Sequence, residues 1–133
     1  MSGFQAMIID DQKTMRSIVR NMLMQVNIKS FLEADNGVAA IAKLGECVND
    51  PPDIIICDMH MDGMDGMEFV SHVRRGKTTL DRDHPVIILT GDKDRLLTEV
   101  TEQAGATMVL HKPVAIAALK QAIVNAVGYD FSR

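Results

Sequence analysis

Two hydrophobic rhythms alternate along the chain. Short apolar runs that stop at a polar residue give way to longer segments in which apolar residues return every three or four positions, the signatures of strand and amphipathic helix. Met7-Ile8-Ile9 stops at Asp10-Asp11, and Met15, Ile18, Val19, Met22, Leu23 and Val26 follow with helical spacing. Ser30 to Glu33 reads as a weaker strand, and Val38, Ile41, Ala42, Gly45 and Val48 line one face of a second helix opened by Asn36-Gly37. Asp53 to Cys57 and Pro85 to Leu89 are apolar at successive rather than alternate positions, which predicts strands covered on both faces. Between them a turn over Gly63 to Gly66 leads into a third helix carrying Met67, Val70 and Val73. A fourth helix runs through Leu96, Leu97, Val100 and Ala104, Gly105-Ala106 breaks it, and Thr107 to Leu110 makes a fifth strand. After Pro113, Ile116, Leu119, Ile123 and Val127 give the last helix.

Five strands alternating strictly with five helices predict an α/β fold: a parallel sheet with right-handed crossovers and helices on both faces. A chain of 133 residues suits a single domain over 1–133, with a core at about 4–127 and a short tail over 128–133. No apolar stretch approaches the ~20 residues of a membrane span. Met1-Ser2-Gly3-Phe4 has no basic region followed by an apolar block, so the expected compartment is the cytoplasm. Two cysteines without metal-ligand spacing, Cys47 and Cys57, agree with that.

Charge narrows the function. A formal net charge of −4 excludes a nucleic-acid surface built on clustered Lys and Arg. The one basic cluster, Arg74-Arg75-Gly76-Lys77, precedes Asp81 and Asp83 and reads as a solvated helix end.

The position of the polar residues is more informative. Asp10-Asp11 ends the first strand, Asp58 the third, Thr90 the fourth and Lys112 the fifth. In an open parallel sheet the carboxyl ends share one edge, where ligands bind. Each residue alone has an innocuous role as a cap or turn. Together they assemble three carboxylates, a hydroxyl and an ammonium. Their charge sum of −2 is costly to hold without a counter-ion, and hard oxygen ligands favour Mg²⁺. A carboxylate nucleophile beside such an ion can attack a phosphoryl group and form an acyl phosphate. Thr90 and Lys112 are then placed to meet the added negative oxygens.

With these motifs stated, the chain resembles the receiver domains of bacterial two-component response regulators, in extent the stand-alone kind used in chemotaxis. The resemblance covers residues 4 to 127 and rests on Asp10-Asp11, Asp58-Met59-His60-Met61, Gly63-Met64-Asp65-Gly66, Thr90-Gly91 and Lys112-Pro113. It implies a flavodoxin-like sheet of order 2-1-3-4-5. It also implies phosphorylation of Asp58, Mg²⁺ bound by Asp10, Asp11, Asp58 and the main-chain carbonyl of His60, contacts from Thr90 and Lys112 to the phosphoryl group, and a cis Lys112-Pro113 bond. The partners implied are a sensor histidine kinase or phosphotransfer protein, and a downstream protein target on the face of the fourth helix, fifth strand and fifth helix. Such a domain catalyses only its own phosphoryl transfer and dephosphorylation.

Two positions depart from the family. Val109 stands where a Tyr or Phe switch residue is usual, and Asp62 where Pro is frequent. His60 and Asp92, two residues past Asp58 and Thr90, are positions that bear on phosphoryl lifetime. Two alternatives come from other classes. A haloacid dehalogenase-like phosphatase also uses a strand-end Asp, a Thr or Ser and a Lys, but that class places a second Asp two residues after its nucleophile, and position 60 is His. A degenerate receiver acting as a scaffold would lack part of the set present here.

Overall fold

A strand in the middle of a parallel sheet is covered by helices above and below, so it can afford no polar side chain until it ends. The computed structural model, which describes residues 3–132, follows that rule. Met1, Ser2 and Arg133, included above in the single domain and, for the first two, in the N-terminal reading, lie outside the described residues. The elements in order are β1 (Gln5–Ile9), α1 (Lys13–Gln25), β2 (Ser30–Ala34), α2 (Gly37–Glu46), β3 (Ile54–Asp58), α3 (Gly66–Arg74), β4 (Val86–Thr90), α4 (Arg95–Gln103), β5 (Met108–His111) and α5 (Ile116–Val127). All strand pairs are parallel and the order is β2-β1-β3-β4-β5, the flavodoxin-like arrangement expected.

Every residue of β3 and β4 is buried, whereas the edge strand β2 is mostly half-buried. Strand alternation divides the core in two. Met7, Ile9, Ile55, Cys57, Val86 and Ile88 face Ala40, Leu44, Phe69, Val70 and Val73 of α2 and α3. Ala6, Ile8, Ile54, Ile56, Ile87 and Leu89 face Val19 and Leu23 of α1 and Leu119, Ala122 and Ile123 of α5. Each large aliphatic side chain so buried contributes about 1.5–3 kcal/mol. Side chains cap three helices: Asn36, Asp65 and Asp94 accept hydrogen bonds from the main-chain N–H of Ala39, Glu68 and Leu96 at 2.8, 2.8 and 2.9 Å.

Beyond shifts of one residue at the bounds of β2, β3 and β4, the structure differs from the sequence pattern at three places. In α2 the buried residues are Gly37, Ala40 and Leu44, while Val38 and Val48 are 63% and 57% exposed. That helix is apolar nearly all round; Ala40 and Leu44 enter the core, and Gly37 is covered by the Met64 side chain. In α4, Leu97 and Thr101 turn inward and Leu96 and Val100 outward. The fifth strand starts one residue later than expected, because the Thr107 hydroxyl is engaged by the Val86 N–H at 3.0 Å, and it runs on to His111, which pairs with Thr90.

Residues beyond α5 fold back over the start of β1. The ring of Phe4 stacks on Phe131 with centroids 4.7 Å apart and meets Tyr129 edge-on at 6.3 Å. Among the described residues, no helix is long and apolar enough to cross a membrane.

Candidate functional site

Strand register gathers the polar residues. Ile9 pairs with Cys57, Asp58 with Leu89, and Thr90 with His111, so the chain positions just beyond or at these pairs fall along one edge. Asp58 continues the alternation of Ile54 and Ile56, and it keeps its main chain in the sheet until the turn. The Met59 N–H donates to the Leu89 carbonyl at 2.8 Å, and the Gly66 N–H donates to the Met59 carbonyl at 2.9 Å. Gly66 is required by this closeness. A Cβ there would lie 2.6 Å from the Asp58 carbonyl oxygen and 3.0 Å from Met59 Cα, so only glycine lets α3 start against the end of β3.

Asp10, Asp11 and Asp58 each present a carboxylate oxygen, all within 4.8 Å of one another. Asp10 and Asp58 are buried, at 4% and 8% exposure, and Asp11 is exposed, so the cluster opens to solvent on one side. Lys112 Nζ sits 2.6 Å from Asp58 Oδ1 and 4.0 Å from Asp10 Oδ2. Asp10 Oδ1 also accepts the Gln12 N–H at 2.9 Å. Burial pushes the Asp10 carboxyl above its ordinary 3.8; the Gln12 hydrogen bond pulls it down, Asp58 pushes it up, and Lys112 and Asp11 act in opposite directions after that. By charge count, one ammonium does not balance three carboxylates. Three crowded oxygens with no His or Cys among them suit a hard divalent cation that keeps several waters.

The other expected residues sit nearby in different ways. Thr90 is 1% exposed, and its hydroxyl accepts the Asp92 N–H at 3.0 Å. The Lys112 N–H donates to the Thr90 carbonyl at 2.8 Å, tying the ends of β4 and β5 together. His60 is exposed and lines a depression with Asp11, Met61, Asp62 and Asp65. The Lys112-Pro113 bond is cis, as the resemblance implied. Val109 is half-buried beside the α2–α4 side of the core. Cys57 is fully buried, and desolvation raises its thiol far above 9.0, which makes it an inert core residue.

One part of the site was not read from the sequence. Arg16 donates to the Asp10 carbonyl oxygen at 2.6 Å and is itself held by Glu33 at 3.1 Å. A lone carboxylate between Leu32 and Ala34 in a strand was the signal available.

Residues 6–124 match the family described as the response regulator receiver domain. The chain belongs to that family. This receiver domain is 34% identical over 119 residues to the probable chemotaxis protein CheY of Rhizobium etli, covering 90% of the chain and 88% of the relative. It is 32% identical over 124 residues to the chemotaxis protein CheY homolog of Campylobacter jejuni, covering 92% and 91%. Among solved structures, a response regulator receiver domain protein from Clostridium thermocellum superposes with a TM-score of 0.82 at 26% identity, covering 94% of each chain. Membership makes the protein a phosphoacceptor signalling domain of a two-component system and does not favour the phosphatase alternative, for which position 60 already had the wrong residue.

Proposed function

We propose that Asp58 takes a phosphoryl group from the phosphohistidine of a sensor histidine kinase or phosphotransfer protein, in the cytoplasm, and that the domain spans 1–133 as one unit. The observation that carries this reading is the convergence of three carboxylate oxygens within 4.8 Å with an ammonium 2.6 Å from Asp58. An Asp58 oxygen attacks phosphorus, the phosphorus–nitrogen bond breaks, and the imidazole leaves with the electron pair. Asp10, Asp11, Asp58 and the His60 main-chain carbonyl are the ligands assigned to Mg²⁺. When bound, that ion offsets charge on the phosphoryl oxygens and orients them.

The chain's own groups do the rest. Lys112, already against Asp58, follows a phosphoryl oxygen once the carboxylate has become an acyl phosphate. The Thr90 hydroxyl accepts from Asp92, which leaves its own hydrogen free to donate to a second phosphoryl oxygen. Loss of the group by hydrolysis at the same site resets the domain. Because β4 and β5 are tied through Thr90 and Lys112, movement of either reaches α4, β5 and α5, the face we assign to the downstream protein target. His111 Nε2 lies 3.1 Å from Thr98 Oγ1 of α4 and links the same elements where Val109 replaces an aromatic. With a net charge of −4, that output runs through protein rather than nucleic acid.

The test is intact mass after incubation with acetyl phosphate and Mg²⁺. A single phosphoryl adduct is expected, absent when a chelator is present from the start and absent in Asp58→Asn. An adduct that survives the substitution would reject the assignment.

A further inference from the structure

Arg16 stands outside the acidic cluster but reaches back from α1 to the loop carrying two of its members. Its Nη1 donates to the Asp10 carbonyl oxygen at 2.6 Å, and its Nε to Glu33 Oε1 at 3.1 Å, with only 16% of the side chain exposed. Arg20, one turn further on, takes the other Glu33 oxygen at 2.7 Å. Across the loop, the Asp10 N–H donates to the Ala34 carbonyl at 3.1 Å. The Asp10 main chain is thus held on both sides, its N–H by β2 and its C=O by Arg16. That C=O lies in the peptide plane shared with Asp11. The Asp11 carboxylate accepts no hydrogen bond among the described residues, so the main-chain plane is the fixed base from which it projects.

We propose that Arg16, anchored by Glu33, is a positioning residue for the acidic pocket, orienting the Asp10-Asp11 peptide so that both carboxylates converge on a divalent cation. The inference rests on the Mg²⁺ reading above. Geometry and electrostatics predict opposite signs here. Removing a positive charge near a cation site strengthens binding if charge alone matters, whereas losing the hydrogen bond to Asp10 weakens it.

Calorimetric titration with Mg²⁺ separates them, run on the wild type, Arg16→Met, Arg16→Lys and Glu33→Gln, with thermal melts and amide hydrogen exchange at Asp10, whose N–H is bonded to Ala34, in the metal-free protein. Arg16→Met is expected to weaken Mg²⁺ binding about tenfold, the range for partners that orient metal ligands, and to speed exchange at the Asp10 amide. Arg16→Lys should restore only part of the affinity, because an ammonium lacks the fork that spans Asp10 and Glu33. Unchanged or tighter binding by a folded Arg16→Met protein overturns the proposal. If that variant does not fold, Glu33→Gln decides: weaker binding supports the role, and wild-type binding refutes it. A wild type that binds no Mg²⁺ defeats the metal reading and this one together, whereas equal binding by wild type and variants defeats only the role of Arg16.

Discussion

At the amino ends of the strands, Arg74 reaches from the last turn of α3 to donate to the carbonyls of Gly105, Arg82 and His84 at 2.8, 2.8 and 2.7 Å, and to the Thr107 hydroxyl at 3.3 Å. At the carboxyl ends, Lys112 offers a single ammonium to a cluster of three carboxylates. The first arrangement gives the donors of a partly buried guanidinium neutral acceptors on three segments, with Asp83 as the nearby opposite charge. The second keeps like charges crowded and partly desolvated, a cost to folding retained for chemistry. One pole of the sheet is fastened and the other is left in electrostatic tension that a cation relieves.

The largest effect is expected where the fastening is cut. Arg74→Met leaves the partly buried carbonyls of Gly105 and His84 without their donor and should cost about 2–4 kcal/mol in urea unfolding, while the folded protein still takes one phosphoryl adduct on Asp58. If stability is unaffected, the amino-end clamp is not the stabilising half of the pair. A smaller change of opposite sign is expected at the other pole. Burial and the neighbouring carboxylates disfavour the charged form of Asp10, so Asp10→Asn, which keeps an oxygen for the Gln12 N–H, should stabilise the metal-free protein by up to about 1 kcal/mol. The same substitution should remove any rise in melting temperature on adding Mg²⁺. A destabilised Asp10→Asn protein would mean the carboxylates are not in tension.

The smallest effect concerns acid sensitivity. Burial first, then Arg74, holds the His84 imidazole below its ordinary 6.5 against the upward pull of Asp81, Asp53 and Asp83, and its Nε2 is buried without a hydrogen-bond partner. A depressed folded-state value means the unfolded chain takes the proton first. His84 therefore costs nothing above pH 6.5 and subtracts stability as pH falls from there through the lowered value. Melts of His84→Gln between about pH 5 and pH 7.5 should show a shallower acid limb than the wild type; parallel limbs would place the acid sensitivity elsewhere.

Much of this was legible beforehand because parallel strands announce themselves. Ile54-Ile55-Ile56 and Val86 to Leu89 carry no polar residue until Asp58 and Thr90, and the change from apolar to polar marks the edge where the acidic cluster sits. The α2 face was not legible. Periodicity favours bulky residues such as Val38 and Val48, whereas the inward side carries Ala40 and Leu44, with Gly37 under the Met64 side chain of a distant loop. The Arg16–Glu33 pair escaped for a related reason: a charged residue on a helix and another on an edge strand look solvated until the pairing of β1 with β2 sets them side by side.

The stacking of Phe4 on Phe131 has a practical consequence for anyone attaching something to this protein. Both ends of the described chain emerge together at the side opposite Asp58, so a fluorophore, an affinity handle or an immobilising surface joined through either would hang away from the docking partner's approach, leaving phosphotransfer measurable on a tethered molecule.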